Sequence, residues 1–171
     1  MTSAPIINTD RLTLRPHQIG DFDAYADMFA SDRATYMGKL KRRHAWYSFT
    51  SDVAQWALLG TGAWAIADKA DGTFLGQTAV MRPDHFPETE LGWFVFQNAE
   101  GKGIAQEAAS AARDWYWQQD FADTLVSYID PDNDRSIKLA TRLGAVPDAD
   151  APLPDGETPD ETVVYRHTRP Q

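Results

Sequence analysis

The spacing of hydrophobic positions along the chain changes several times, and each change marks an element. RLTLRP (11–16) alternates apolar and polar residues and stops at a proline, which predicts a short first strand. DFDAYADMFAS then sets Phe22, Tyr25, Ala26 and Phe29 three or four apart, the spacing of one helical face. A second helix is predicted over HAWYSFTSDVAQWALLG, with Trp46, Phe49, Val53, Trp56 and Leu59 on a broad apolar face that ends at Gly60 and Gly62. The period then falls to two. GAWAIADKADGTFLGQTAVM reads as two strands joined across Asp71-Gly72, a strong hairpin signal, and ETELGWFVFQN supplies a third antiparallel strand. Beyond a glycine-containing segment come the helix IAQEAASAARDWYWQQ, the strand TLVSYID, the helix DRSIKLATRLGA, a proline-rich acidic loop and the strand ETVVYRH. No repeat and no linker interrupts this order, so one domain over 1–171 is expected.

Composition narrows the chemistry. Sixteen Lys+Arg against 25 Asp+Glu give a formal charge of −9, the wrong sign for a protein that binds nucleic acid by neutralising phosphates. Cationic or amine partners fit that balance better. The absence of cysteine excludes disulfides, thiolate metal sites and a cysteine nucleophile. His17, His44, His85 and His167 lack metal-ligand spacing, so no metal is implied. No stretch approaches the roughly 20 apolar residues of a membrane span, and a soluble, cytoplasmic protein is expected.

The segment FQNAEGKGIAQEA (96–108) carries the sharpest local signal. A strand ending near Phe96, then Gly101-Lys102-Gly103, then a helix, leaves several N–H groups at the helix start without partners. Glycines there allow positive φ and close approach of a ligand, and the helix dipole favours an anion. A plain turn between strand and helix accounts for the same residues. The Gly-Lys pair is not followed by Ser or Thr, so this is no Walker A loop, and the dinucleotide spacing fails at Gln106.

EGKGIAQEA (100–108), preceded by ELGWFVFQNA and followed by YIDPDNDRSIKLATRLGA (128–145), resembles the GNAT superfamily of N-acetyltransferases, and within it the ribosomal-protein N-terminal acetyltransferase branch. The resemblance spans most of the chain. It implies an α/β (α+β) fold with a mixed, mostly antiparallel central sheet, flanking helices and a splay at the fourth and fifth strands. Acetyl-CoA would insert there, its pantetheine arm pairing with backbone near Phe94 and Val95. The family's pyrophosphate loop, Gln/Arg-x-x-Gly-x-Gly/Ala, falls on Glu100, Gly101, Lys102, Gly103, Ile104 and Ala105. Asn133 and Ser136, with Leu143 and Gly144, match the cofactor-side helix. Three positions depart: Glu100 is an acid where Gln or Arg is usual and is expected to point to solvent, Ala140 stands where Tyr is frequent, and Ala145 replaces a common Phe.

Direct acyl transfer needs a neutral amine, a polarised carbonyl and a proton for the departing thiolate. In a strand over 90–96, Glu90, Gly92, Phe94 and Phe96 share one face. By the resemblance Glu90 is the base, acting through water, with its pKa raised by burial beside Trp93 or Phe94; by pattern alone it is a solvated carboxylate at a strand start. Ser136 is the candidate hydrogen-bond partner of the coenzyme sulfur, and otherwise a capping or first-turn residue. The basic run KLKRRHAW (39–46) is a solvated face or a substrate contact, His85 is a loop histidine or part of a proton relay, and Tyr128 and Tyr165 pack in strands. VPDADAPLPDGETPDE (146–161) is expected to form a mobile wall beside the acceptor site. The expected activity is acetyl-CoA-dependent transfer to a primary amine, a peptide N-terminus or a small amine, by a monomer or homodimer that uses neither nucleic acid, membrane nor metal. An acyltransferase with another donor or acceptor, or a catalytically weak acyl-CoA-binding regulatory protein, stays open.

Overall fold

The computed structural model describes residues 3–170. In chain order the elements are β1 (Ile7–Asn8), β2 (Leu12–Arg15), α1 (Phe22–Ala30), α2 (Arg42–Leu59), β3 (Gly62–Asp68), β4 (Phe74–Met81), β5 (Glu90–Val95), α3 (Ile104–Gln118), β6 (Thr124–Ile129), α4 (Asp134–Arg142), β7 (Val146–Pro147) and β8 (Val163–Thr168). The strands form one sheet in the order β1-β2-β3-β4-β5-β6-β8-β7. Every neighbouring pair is antiparallel except β5 and β6. This is the mixed, mostly antiparallel sheet with flanking helices that the sequence implied. The predicted elements all form. Two further strands, β1 and β7, hold two residues each, too few to show a period. Because β1 precedes the predicted first strand, the fourth and fifth strands of the expected splay are β5 and β6 here.

Side chains of both faces settle the core. Trp56, Trp64 and Trp115 meet edge-to-face with centroids 4.5–5.4 Å apart. The indole N–H groups of Trp56 and Trp64 donate to the carbonyls of Ala63 (2.9 Å) and Pro5 (2.8 Å), so burial leaves neither unsatisfied. On β5 the period-two reading holds: Leu91 joins the cluster around α3, and Phe94 joins the one formed by α1 and α2.

The face assigned to α2 needs correction. Trp46, Val53 and Leu59 are exposed, and the buried residues are Ala45, Phe49, Asp52, Gln55 and Trp56. Trp46 instead covers Phe22 at the surface, with centroids 5.0 Å apart. The inward stripe therefore includes two polar residues, which the hydrophobic pattern alone cannot place inside. Both line the cleft described below.

The parallel pair opens almost as soon as it forms. Its register holds at Glu90 and Val126, with the Val126 N–H donating to the Thr89 carbonyl at 3.0 Å. Next along, a side chain replaces backbone pairing: Ser127 Oγ donates to the Leu91 carbonyl at 2.7 Å. Its single proton is thereby committed, so the buried His167 donates to Ser127 Oγ from Nε2, 3.0 Å away. Burial depresses the His167 pKa to about 4, which keeps the ring neutral. From Trp93 to Val95, β5 pairs with β4 on one edge and has no β6 residue on the other.

Candidate active site

The splay opens into a cleft of about 1830 Å³ that runs from the start of α3 and α4 to the floor formed by β4 and β5. At one end lies the Gly101–Ala105 loop. Gly101 and Gly103 both adopt positive φ, +69° and +75°, conformations that side-chain-bearing residues rarely take. A Cβ at Gly101 would meet nothing within 4 Å, so the requirement there is backbone conformation rather than space. Gly103 caps α3, and the Glu107 N–H is the first in the helix to find an acceptor, the Gly103 carbonyl at 3.1 Å. The N–H groups of Ile104, Ala105 and Gln106 precede it, and all three residues line the cleft. A helix start with free N–H groups of this kind can receive an anion.

Arg11, from the start of the chain, fixes the loop from behind. Its guanidinium donates to Glu107 Oε2 (2.7 Å) and to the Lys102 carbonyl (2.8 Å). Lys102 itself is exposed and does not line the cleft, unlike Gly101, Gly103, Ile104 and Ala105. Glu100 corrects the expectation of a solvent-facing acid: its Oε1 accepts from Arg33 Nη2 at 2.6 Å and Arg135 Nη1 at 2.7 Å. The two arginines hold its carboxyl below the usual glutamate range. Arg33 also donates to the Val95 carbonyl, at 3.0 Å, on the open edge of β5. At α4, Asn133 is the cap, its Oδ1 accepting from the Ser136 N–H at 3.2 Å. Ser136 is a first-turn residue whose side chain lines the cleft. Ala140 and Ala145 are buried behind it with Ile129.

At the other end Glu90 begins β5. It is half-buried and lines the cleft, and desolvation pushes its pKa up to about 8. The Tyr128 backbone N–H stabilises the charge, while the charges of Asp52 and Glu157 oppose it. The expected rise is present, with desolvation as its main cause.

Asp52 is the residue that sequence reading missed. It is 8% exposed on α2, accepts from Tyr25 Oη (3.2 Å) and Gln77 Nε2 (3.0 Å), and is pushed up to about 6 by burial. Tyr25 in turn lies 2.9 Å from Ser48 Oγ. The signal in the sequence was slight, a single acid at helical spacing between Phe49 and Trp56.

Segments around the rim complete the wall. The loop after β7 carries Gly156, Glu157, Glu161 and Thr162 to the cleft. It is held by the Asp155 N–H on the His85 carbonyl (2.9 Å) and by buried Pro154. His85 is exposed and stands edge-on to Phe86, and Phe86 to Tyr128, whose hydroxyl is enclosed without a partner. The basic run stays outside: Lys39 pairs with Asp32 and Arg42 with Asp23, and no residue of 39–46 lines the cleft. Among the described residues no group of three or more His, Asp or Glu could hold a metal, and no helix is long and apolar enough to cross a membrane.

A sheet splayed beside a glycine-capped helix start, with the Glu90 carboxylate across the cleft, is the arrangement of a GNAT-type acetyltransferase. The family described as "Acetyltransferase (GNAT) domain" matches residues 11–146, and the chain belongs to it. An acetyltransferase from Agrobacterium tumefaciens str. C58 superposes with a TM-score of 0.91 at 40% identity, over 98% of this chain and 96% of that one. RimL, a ribosomal L7/L12 alpha-N-protein acetyltransferase in complex with coenzyme A, superposes with a TM-score of 0.72 over 96% of this chain and 98% of that one; at 15% identity the likeness is one of fold. YkkB of Bacillus subtilis (strain 168) is 33% identical over 87 residues, covering 50% of this chain and 51% of YkkB, so the match spans about half of that curated relative.

Proposed function

We propose that the protein transfers the acetyl group of acetyl-CoA directly to a primary amine. The observation that carries this reading is the continuity of one cleft from the glycine-capped start of α3, past the open edge of β5, to Glu90. The donor set suits acetyl-CoA: free N–H groups at Ile104 and Ala105 for its diphosphate, and the backbone of Phe94 and Val95 for its amide-bearing arm. Coenzyme A bound to RimL, a protein of this fold, supports the same choice. The bound thioester supplies the electrophilic carbonyl and a thiolate leaving group. Glu90 removes a proton from the amine, directly or through water, and Asn133 orients the helix turn that brings Ser136 to the cleft as hydrogen-bond donor to the departing sulfur.

The base matters unequally for different acceptors. An alkyl amine with pKa near 10.4 is neutral in only about one molecule in 2,500 at pH 7, whereas a peptide α-amine near 7.7 is far less disadvantaged. A thiol-release assay with acetyl-CoA over alkyl amines and peptides tests the activity. Glu90→Gln is expected to lower kcat/KM for an alkyl amine at pH 7 by about 10²-fold or more, with partial recovery at higher pH, and to lower it less for an α-amine. Equal rates for the two proteins at every pH would remove Glu90 as the base. Tight acetyl-CoA binding without transfer to any amine would point to a non-catalytic acyl-CoA-binding protein.

A further inference from the structure

Helix α2 is inverted in polarity. Its inward positions include Asp52 and Gln55, while its exposed positions from Trp46 to Leu59 are all aromatic or aliphatic except Ser51. Tyr47 is 52% exposed and Leu58 78%. Thr50, half-buried at the same surface, turns its hydroxyl back onto the helix, donating to the Trp46 carbonyl at 2.9 Å. At 1.5 Å per residue this uncharged face runs for about 20 Å. Exposed Phe121 continues it past the helix end, where a Cβ on the C-cap Gly60 would lie 3.8 Å from its ring. Single exposed apolar side chains are ordinary, but a contiguous run along one helix marks a surface that another molecule covers.

The run is also spared the protein's acidity. A formal charge of −9 repels one copy from another, yet the one acid of α2 is the inward Asp52. The cations of the helix stand at the end that its dipole disfavours: Lys41, Arg42 and Arg43 begin it, with no acid in the first turn and no base in the last. Arg42 pairs with Asp23. Lys41 and Arg43 have no carboxylate partner among the described residues, and Arg43 Nε donates to the Tyr47 hydroxyl at 3.2 Å.

Size reverses along the face in the same sense as charge. Trp46 and Tyr47 make the N-terminal half bulky, and Ala54 and Ala57 make the C-terminal half low. Trp46 is braced edge-on against Phe22, so it stands as a fixed ridge. Two such helices laid antiparallel would set each aromatic pair over the other's alanines and each cationic N-terminus at the other's C-terminal carbonyls. The two cationic ends then stay about 27 Å apart, the length of the 18-residue helix and well beyond a Debye length of about 8 Å. A parallel pair would stack aromatics on aromatics and cations on cations. An anionic surface would answer the cations but not the low, uncharged half. Size and charge both reverse about the middle of one helix, which is the condition for a self-complementary two-fold contact.

We infer that the outer side of α2 is a self-association face: two copies of this chain pair through it, antiparallel, about a two-fold axis near Val53. The inner side of the same helix brings Ser48, Asp52 and Gln55 to the cleft, so each α2 is held between its own cleft and the partner's helix.

Sedimentation equilibrium of the full chain tests the contact, and the absence of cysteine allows its direction to be read by disulfide trapping. One helix pair is a small interface, so a dimer with a dissociation constant of about 1–100 μM is expected. Val53→Asp, which puts a charge at the centre of the face, is expected to weaken it at least about tenfold, with a circular dichroism spectrum like that of wild type because Val53 lies outside the core. Under oxidation, Val53→Cys is expected to cross-link to itself and Tyr47→Cys to Ala57→Cys when the two are mixed. Neither Tyr47→Cys nor Ala57→Cys is expected to cross-link alone, because these positions lie about 15 Å apart along the helix and a disulfide needs Cα atoms within about 7 Å. Self-cross-linking of each of those two would show a parallel pair and overturn the two-fold antiparallel contact. A dimer that Val53→Asp leaves intact would place the association elsewhere and overturn the assignment of α2. A wild-type protein that stays monomeric at about 100 μM overturns self-association outright; binding of that monomer to anionic phospholipid vesicles, lost in Val53→Asp, would give the face to a lipid surface instead.

Discussion

The two ends of the cleft use charge in opposite ways. At the cofactor end, Glu100 sits between Arg33 and Arg135, and Arg11 grips Glu107 behind the glycine loop, so these two acids are paired while backbone N–H groups face the cleft. At the acceptor end, buried Asp52 and half-buried Glu90 form no ion pair with a basic side chain among the described residues, and desolvation raises the pKa of both. On the function proposed above, the first end receives the diphosphate on main-chain groups. The second holds two carboxylates that burial disfavours in their charged form, a cost that appears as pH forces them to ionise.

The largest expected effect measures that stored cost. Glu90 titrates near 8 in the folded chain against 4.5 ordinarily, so between those values the folded state retains a proton that the unfolded state has released. Stability therefore falls as pH rises through that window. Glu90→Gln removes the penalty: denaturant titrations should find the variant more stable by about 2–4 kcal/mol at pH 9 and unchanged at pH 4. A variant no more stable at either pH would mean that the acceptor end stores nothing.

Gly103→Val probes the opposite end. At φ +75° a β-branched residue is strained, and repair of that strain would misplace the helix-start N–H groups. Acetyl-CoA affinity by calorimetry is expected to fall about 10- to 100-fold in the folded variant. Unchanged affinity would leave the glycines with a turn role alone.

Smaller effects refine the picture. Ser136→Ala should lower turnover about tenfold with coenzyme affinity nearly intact, since the thiol is already a modest leaving group. Loss of coenzyme binding with unchanged saturated turnover would make Ser136 a binding residue instead. Glu100→Gln releases Arg33 and Arg135 and should tighten acetyl-CoA binding about two- to fivefold at low salt, the gain fading as salt screens the partly exposed arginines. Weaker binding in that variant would mean that the acid positions the arginines rather than neutralising them.

What the sequence determined by itself is local. Helix and strand periods, the Asp71-Gly72 hairpin and the two glycines before α3 depend on neighbours a few residues away, and so does the cap of Ser136 by Asn133. The strand–loop–helix unit around the two glycines, built largely from backbone, was legible for that reason. Only the tertiary structure decided the rest. Asp52 drew no reading from the sequence and emerged only where Tyr25 and Gln77 hold it, and Glu100 read as a solvent-facing acid until Arg33 and Arg135 closed on it. The loop's rear support joins Arg11 to Glu107, 96 residues apart. Such pairings carry no period, because side chains on separate elements become neighbours only when the sheet has formed. Whether an acid is solvated, paired or left enclosed without a partner follows from desolvation by those distant neighbours.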